Sequence, residues 1–179
     1  MTRLFHFSDD GSIDLFEPRA VRVPAKRAAG MEWLNDPLVW AIDQWHQPIY
    51  LFPRDCPRIL LWPTAETSEI DRHRYFGEST ARILAYIEER WAPRLEAATI
   101  HRYELPVDPF ESLGDAGMWV SRNVVRPLRR TLIEDLPAAL QAQDVELRTL
   151  PVLAPLRDVW DSTLHASGIR LRNAREWGH

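Results

Sequence analysis

Short apolar runs, each closed by proline or by turn residues, constrain the fold of this chain more than any other feature. They occupy residues 4–7, 38–42, 49–52 and 59–62, and the first ends at a Ser-Asp-Asp-Gly turn signal. Runs this short suit β-strands, and near-continuous apolar character is typical of strands buried on both faces. The first third of the chain is therefore predicted to be rich in strands.

The strongest helical signal follows these runs. A helix is predicted over residues 79–95. Its buried face would be formed by four apolar side chains at helical spacing: Ile83, Leu84, Ile87 and Trp91. Shorter helices are predicted over residues 66–75, 135–143 and 155–166.

The later strand signals complete the predicted order of elements. Strands are expected at residues 99–105, 119–121, 124–128, 145–150 and 169–172. Strands that outnumber inserted helices favour the α+β class, with a mixed or antiparallel twisted sheet rather than a doubly wound one. Because no repeat, low-complexity stretch or linker divides the chain, residues 1–179 are predicted to form a single domain.

Composition excludes several classes of protein. The chain has 179 residues, 45% of them hydrophobic, which is enough to bury a core without disulfide or metal support. The lone Cys56 rules out a disulfide framework within the chain. A net charge of −4 argues against strong non-specific binding to nucleic acid or to anionic lipid. No signal peptide or transmembrane run is recognisable, so a soluble, cytoplasmic protein with no membrane partner is expected.

Searches for familiar catalytic motifs find none. Seven glycines form neither a phosphate loop nor a dinucleotide-binding fingerprint, and the six histidines show no metal-binding spacing. No metal site is predicted, and no cofactor can be named. Eight tryptophans and a preference for arginine, with Lys26 the single lysine, leave two interpretations. They reflect codon bias, or some of them line a site for anions and stacked bases.

Two short segments carry the candidate binding groups. His6 lies within the first apolar run, and Ser8 would share its face because strand side chains alternate. His6 either bonds to a backbone carbonyl or lies at the mouth of a cleft. Arg54 and Arg58 bracket a proline-bounded corner, which is either an ordinary stiff turn or a preorganised fork for an anion.

Three motifs carry a resemblance to a known family. They are LFHFSDDGSIDLFEPR, PLVWAIDQWHQPIYLFPRDCPRILLW and AGMWVSRNVVRPL. Together they resemble a family of bacterial proteins known only as a domain of unknown function, over residues 4–170. This resemblance identifies relatives and implies no activity.

A second resemblance is to the ADP-ribosyltransferase-like fold. It implies that His6 and Ser8 hold the ribose of a nucleotide, and that Trp40 or Tyr50 supplies an aromatic shelf. The family's catalytic glutamate would fall at Met118 or Trp119, so the catalytic set is incomplete. Glu104 and Glu111 are the alternative carboxylates.

Two functions from different classes follow. The leading hypothesis is a domain of ADP-ribosyltransferase-like type that binds a small nucleotide or phosphorylated ligand; whether it is an enzyme stays open. The predicted ligand-binding residues are His6, Ser8, Trp40, Tyr50, Arg54, Arg58 and Trp119. The alternative is a non-catalytic, tryptophan-rich protein-interaction module, and neither hypothesis fixes the oligomeric state.

Overall fold

The computed structural model describes residues 1–178 and has the α+β character that the sequence predicts. Its backbone groups into two compact units. The first comprises residues 1–47 and 100–132, and the second comprises residues 48–99 and the chain from 133 onward. The single-domain organisation stays a prediction.

A six-stranded sheet forms the first unit. Its strands, in spatial order, are β6 (Glu111–Ser112), β7 (Met118–Ser121), β2 (Val39–Asp43), β1 (Leu4–Ser8), β5 (Ile100–Leu105) and β8 (Arg129–Ile133). β1 pairs antiparallel with both β2 and β5, which places the N-terminal run in the middle of the sheet.

One face of this sheet carries the core of the first unit. Leu4, Val39, Ala41, Tyr103 and Leu105 share that face, and Phe16, Phe110 and Val125 pack with them. Antiparallel partners lie on the same face, so alternate residues of each strand are directed either into this core or away from it.

The second unit contains a four-stranded mixed sheet. Its order is β10 (His165–Ile169), β3 (Arg58–Trp62), β4 (Ile83–Glu88) and β9 (Val145–Leu150). β3 runs antiparallel to β10 and β4, whereas β4 and β9 are parallel. The first residue of β3 therefore lies beside the last residues of β4 and β10.

Three α-helices lie in the second unit: α1 (Glu69–Phe76), α2 (Ala92–Ala97) and α3 (Leu136–Ala142). Ser68 and Asp135 cap α1 and α3, because each side chain accepts a hydrogen bond from a backbone N–H of the first turn. Gly77 ends α1 with φ 55°, a conformation that favours glycine.

The remaining helical segments are 3-10 turns. They span Glu32–Asn35, Gln47–Tyr50, Glu89–Trp91, Ala154–Asp161 and Leu171–Asn173.

The predicted helix over residues 79–95 is wrong. Its centre is β4, in which all six residues are buried between β3 and β9. A strand covered on both faces has no polar side, so its apolar run imitates helical spacing. Only the end of the segment is helical: Pro93 lies in the first turn of α2, where a missing N–H costs nothing.

Four other boundaries also differ from the predictions. Residues 49–52 belong to a 3-10 turn and the loop after it, and the strand predicted at 124–128 is an isolated bridge between Val125 and Phe16. The predicted helix over 155–166 is a 3-10 helix followed by β10. Residues 169–172 close β10 and open the last 3-10 turn, so the edge strand begins earlier than expected.

No helix within residues 1–178 is long and apolar enough to cross a membrane.

Candidate functional site

His6 is fixed by the backbone of the neighbouring strand. Its Nδ1 lies 2.8 Å from the Trp40 carbonyl oxygen, so Nδ1–H donates and the ring tautomer is defined. The ring also packs against Phe16, with the ring centroids 4.7 Å apart. The carbonyl contact is one of the two arrangements expected from the sequence, and the half-buried ring keeps part of its surface outside the core.

The strand register decides which predicted residues share a face with His6. His6 is the partner of Tyr103 on β5, and Trp119 is the partner of Ala41 on β2, so these residues lie on the core-bearing face. Ser8 follows by alternation, and its hydroxyl accepts a hydrogen bond from Asp10 N.

Trp40 lies on the opposite face. It packs with Leu34 and Val120, and the Arg27 guanidinium lies 5.7 Å from its ring centroid. Only the Trp40 backbone reaches His6. The prediction that the Trp40 side chain forms an aromatic shelf beside His6 is therefore wrong.

The carboxylates considered for the catalytic position also lie on the face away from His6. Glu104 is the partner of Phe5, and Glu111 is the partner of Val120. Met118, the partner of Ile42, shares that face, so a glutamate at position 118 would not reach His6 either. Strand alternation explains this result, because residues one position apart point to opposite faces.

Glu104 is occupied by a different interaction. Arg3 donates from Nε and Nη2 to the two carboxylate oxygens, at 2.9 Å each. This bidentate contact holds the pKa of Glu104 below its ordinary value.

An aspartate–histidine pair closes the end of β2. The Asp43 carboxylate accepts hydrogen bonds from His46 N and His46 Nδ1, both at 2.8 Å. Burial raises the pKa of Asp43, but these hydrogen bonds outweigh it and hold the pKa below its ordinary value. Gly117 has φ 71°, and a Cβ there would lie 2.3 Å from His46 Nδ1. The pair therefore depends on glycine at position 117.

Arg58 is the most unusual charged group of the second unit. It opens β3, its residue is only 2% exposed, and its guanidinium donates to Ile49 O and Cys56 O, at 2.9 Å each. Its Cζ lies 5.9 Å from the Tyr50 ring centroid and 5.2 Å from that of Phe52. Carbonyl dipoles and aromatic faces thus surround a buried cation.

No carboxylate within residues 1–178 forms an ion pair with Arg58. Burial lowers its pKa to about 10, and repulsion by Arg170 contributes to the lowering. The guanidinium still carries its charge at neutral pH. Burial also raises the pKa of Tyr50, so the phenol stays protonated.

Arg170 provides a second positive charge at the same place. Ile169 is the β10 partner of Arg58, so the next residue lies at the end of both strands. The Arg170 guanidinium acts electrostatically on Tyr50 and on Arg58. Its half-buried side chain makes no hydrogen bond or ion pair with another described residue, and its φ of 55° is left-handed. We call Tyr50, Arg58 and Arg170 the Arg58 corner.

Several contacts hold the segment that follows Arg170. Asn173 donates from Nδ2 to Asp55 O at 2.8 Å, and its carbonyl accepts from Arg90 Nη2 at 2.7 Å. The fully buried Glu88 accepts from Arg90 Nε and from Arg175 N, at 2.7 Å each. The Arg58 corner is therefore built on a fixed turn.

Arg54 and Cys56 have different environments from Arg58. Arg54 is exposed, whereas Arg58 points into the interior, so these two arginines do not form the predicted fork with each other. Burial raises the pKa of the Cys56 thiol to about 12, which makes it a packed side chain rather than a nucleophile.

A separate groove of about 350 Å³ lies in the second unit, lined by Glu78, Ser79, Thr80, Ala81, Gln141, Asp144, Val145 and Glu146. Glu146 is already bonded to Ser79 and Arg148. None of the predicted site residues lines this groove. No group of three metal-ligating side chains is assembled within residues 1–178.

The tryptophans are mostly covered. Trp45 is 42% exposed and Trp160 is 44% exposed, and they belong to different units. Trp62 and Trp91 are buried, and the other four are half-buried. Two exposed tryptophan rings, one in each unit, are therefore what the structure offers in support of the interaction-module hypothesis.

The structure thus brings Tyr50 and Arg58 together in the second unit, and His6, Ser8 and Trp119 onto one face in the first. Sequence reasoning missed Arg170. No signal in the sequence points to it, because its position beside the proline-bounded corner comes from the pairing of Ile169 with Arg58.

Comparison with known proteins gives one match. No curated protein and no solved structure matches the chain, so the resemblance to the ADP-ribosyltransferase-like fold remains a prediction. The model of DUF6886, a family of unknown function, matches residues 5–174. This chain belongs to the DUF6886 family.

Proposed function

We propose that this protein binds a small phosphorylated ligand, with nucleotides among the candidates, through the Arg58 corner. The observation that carries the proposal is the buried Arg58 guanidinium, which has no carboxylate partner among the described residues. Tyr50 and Arg58 are two of the residues for which the sequence predicts ligand binding.

Burying a cation without a counter-ion is costly, and carbonyl dipoles offset the cost only in part. Arg170 repels Arg58 and increases that cost. An anionic ligand at the corner supplies the missing negative charge, and its attraction to Arg58 is strong because little water lies between them.

The two arginines would act differently on the ligand. Arg170 is half-buried, so its planar fork is available to hold two phosphate oxygens. Arg58 is almost fully covered and acts through its charge.

The first unit keeps its own predicted residues for a ligand. His6, Ser8 and Trp119 share the core-bearing face of the first sheet, where His6 packs against Phe16. Their part in binding remains a prediction, as does any ADP-ribosyltransferase-like activity.

Thermal unfolding of the wild type tests the proposal with AMP, ADP-ribose, NAD and inorganic phosphate, each against sodium chloride of equal ionic strength. A ligand that binds the folded state raises Tm with its concentration. Arg170→Gln should abolish the rise while keeping the fold. Arg172→Gln is the matched control, because Arg172 is exposed in the 3-10 turn that begins directly after Arg170.

The expected result is stabilisation of the wild type and of Arg172→Gln by at least one phosphorylated compound, with none for Arg170→Gln. Equal shifts in all three proteins would place the binding elsewhere and overturn the proposal. The same conclusion follows if no compound raises Tm at millimolar concentration.

A further inference from the structure

We infer that two copies of this chain associate through β8, with their two strands antiparallel and centred on Leu132. β8 (Arg129–Ile133) is the outermost strand of the six-stranded sheet, and β5 is its only neighbour there within residues 1–178. The outer side of an edge strand presents backbone N–H and C=O groups with which another strand can pair. The sequence of β8 and of the two residues after it points to a second copy as that other strand.

β8 is accessible on both of its faces. Its residues 129–132 are exposed and Ile133 is half-buried, and successive side chains of a strand point to opposite faces. Leu132 keeps 47% of its surface exposed, and Leu128, directly before the strand, keeps 68%. An exposed leucine in the middle of an edge strand adds apolar contact when a second strand pairs beside it. The edge is thus open both to backbone pairing and to side-chain contact.

The charges around Leu132 reverse in sign from one side to the other. The segment centred on Leu132 reads Arg-Arg-Thr-Leu-Ile-Glu-Asp. Its four charged side chains are exposed, and none forms an ion pair with another residue that the structure describes. Antiparallel pairing about Leu132 sets Arg130 opposite Glu134 of the second copy. It also sets Arg129 opposite Asp135 of the second copy, and two-fold symmetry gives each pair twice. Like charges protect an edge from pairing with itself, whereas this order of charges favours such pairing.

The backbone allows this register. Leu128 N donates to Glu104 O of β5 at 2.8 Å, so the backbone groups of Leu128 face β5. Consecutive residues of a strand direct these groups to opposite sides, so those of Thr131 and Ile133 face outward. Pairing centred on Leu132 sets Thr131 opposite Ile133 of the second copy, as the outward hydrogen bonds require. The two Leu132 residues then form a non-hydrogen-bonded pair, in which the side chains lie closest.

Other registers of the two strands match the charges less well. The outward residues must stay opposite each other, so the centre of the pairing moves by one residue at a time. Centring it on Thr131 sets Arg130 opposite Leu132, so a cation faces an apolar side chain. Centring it on Ile133 sets Leu132 opposite Glu134, with the same fault. Centring it on Arg130 sets two arginines directly opposite each other, which is repulsive. The order of the charges therefore selects Leu132 as the centre.

Sedimentation equilibrium of the full chain without ligand, from micromolar to millimolar concentration, tests the association with charge reversals. Arg130→Glu alone and Glu134→Arg alone each turn two attractive pairs into two repulsive ones, so each should raise the dimer Kd by about tenfold. The double variant R130E/E134R restores opposite charges and should return the Kd to that of the wild type. Arg126→Glu is the matched control, because Arg126 is exposed and lies outside the paired segment. Its Kd should equal that of the wild type.

Cysteine cross-linking tests the register. In the inferred pairing the two copies of residue 132 face each other at a Cα distance of about 4.5 Å, which a disulfide can span. The two copies of residue 131 are displaced by two positions along the strand and lie out of its reach. Leu132→Cys should therefore give a disulfide-linked dimer under mild oxidation, and Thr131→Cys should give much less. The native Cys56 is fully buried, so the wild type provides the background.

A wild type that stays monomeric up to millimolar concentration would overturn the inference and leave the edge to a different partner. A Kd that ignores both single reversals, or that the folded double variant does not restore, would overturn the pairing of Arg130 with Glu134. Cross-linking at position 131 in preference to position 132 would overturn the register. Circular dichroism and Tm establish that each variant is folded. The cysteine variants leave all charges in place, so they test the association even where a charge reversal prevents folding.

Discussion

Arg3 lies in the first unit and Arg58 in the second, and their guanidinium groups have opposite environments. Arg3 is partly exposed and forms a bidentate pair with Glu104, whereas Arg58 is buried against carbonyls and aromatic rings without a carboxylate. Exposed ion pairs contribute little to stability, while buried charges without partners are expensive. The comparison shows that the Arg3 charge in the first unit is balanced by a carboxylate, whereas the Arg58 charge is surrounded by backbone carbonyls and aromatic rings.

The largest effect is expected from Arg58→Ala. This change removes two hydrogen bonds to buried carbonyls and leaves a cavity between Tyr50 and Phe52, so the free energy of unfolding should fall by about 3 kcal/mol. Urea unfolding at pH 7 measures it. Arg3→Ala is the comparison variant and should lose much less. Equal losses for the two variants would remove the contrast between the two arginines.

A smaller effect should follow from breaking the hydrogen bonds between Asp43 and His46 in the first unit. Gly117→Ala places a Cβ against the His46 ring at a positive φ and should cost about 2 kcal/mol. Gly114→Ala is the matched control. Gly114 has φ 66° but nothing within 4 Å of the added Cβ, so its strain alone should cost about 1 kcal/mol. Thermal unfolding of both variants measures the difference, and equal costs would show that the Asp43–His46 contact does not depend on the space at Gly117.

The smallest effect concerns the pH dependence of the Arg3–Glu104 pair. The pKa of Glu104 is lowered in the folded state, so the pair stabilises the protein above the unfolded pKa of about 4.5 and loses this contribution as pH falls through the folded value. The stability difference between the wild type and Arg3→Ala should therefore be present at pH 7 and shrink at pH 3. Arg122→Ala, which removes a fully surface pair with Glu111, is the control. A difference for Arg3→Ala that is unchanged at pH 3 would contradict the assignment.

Local signals predicted the elements that rest on local chemistry. β1, β2, β3 and β5 follow from apolar runs and alternation, and the Asp135 cap of α3 follows from its side chain. The helix predicted over residues 79–95 fails at residues 83–88, because the burial of this strand depends on a parallel partner more than fifty residues away. Periodicity within a segment holds no information about that partner.

The residues of the candidate site divide in the same way into those that local sequence signals select and those that only tertiary pairing brings into place. His6, Tyr50 and Arg58 could be selected from the sequence, because a histidine in an apolar strand and an arginine at a proline-bounded corner are locally unusual. Arg170 could not, because nothing in its own neighbourhood distinguishes it from the other arginines. Its role comes from the pairing of Ile169 with Arg58.

The sequence by itself determined the α+β class, the absence of metal and phosphate-loop motifs, and two of the three residues of the Arg58 corner. Only the tertiary structure decided which arginine is buried, which is paired and which faces of the first sheet carry His6 and the glutamates. The physical reason is that charge compensation and strand faces are properties of neighbours in space. Those neighbours are set by strand register, which joins residues as distant in the chain as Arg58 and Ile169.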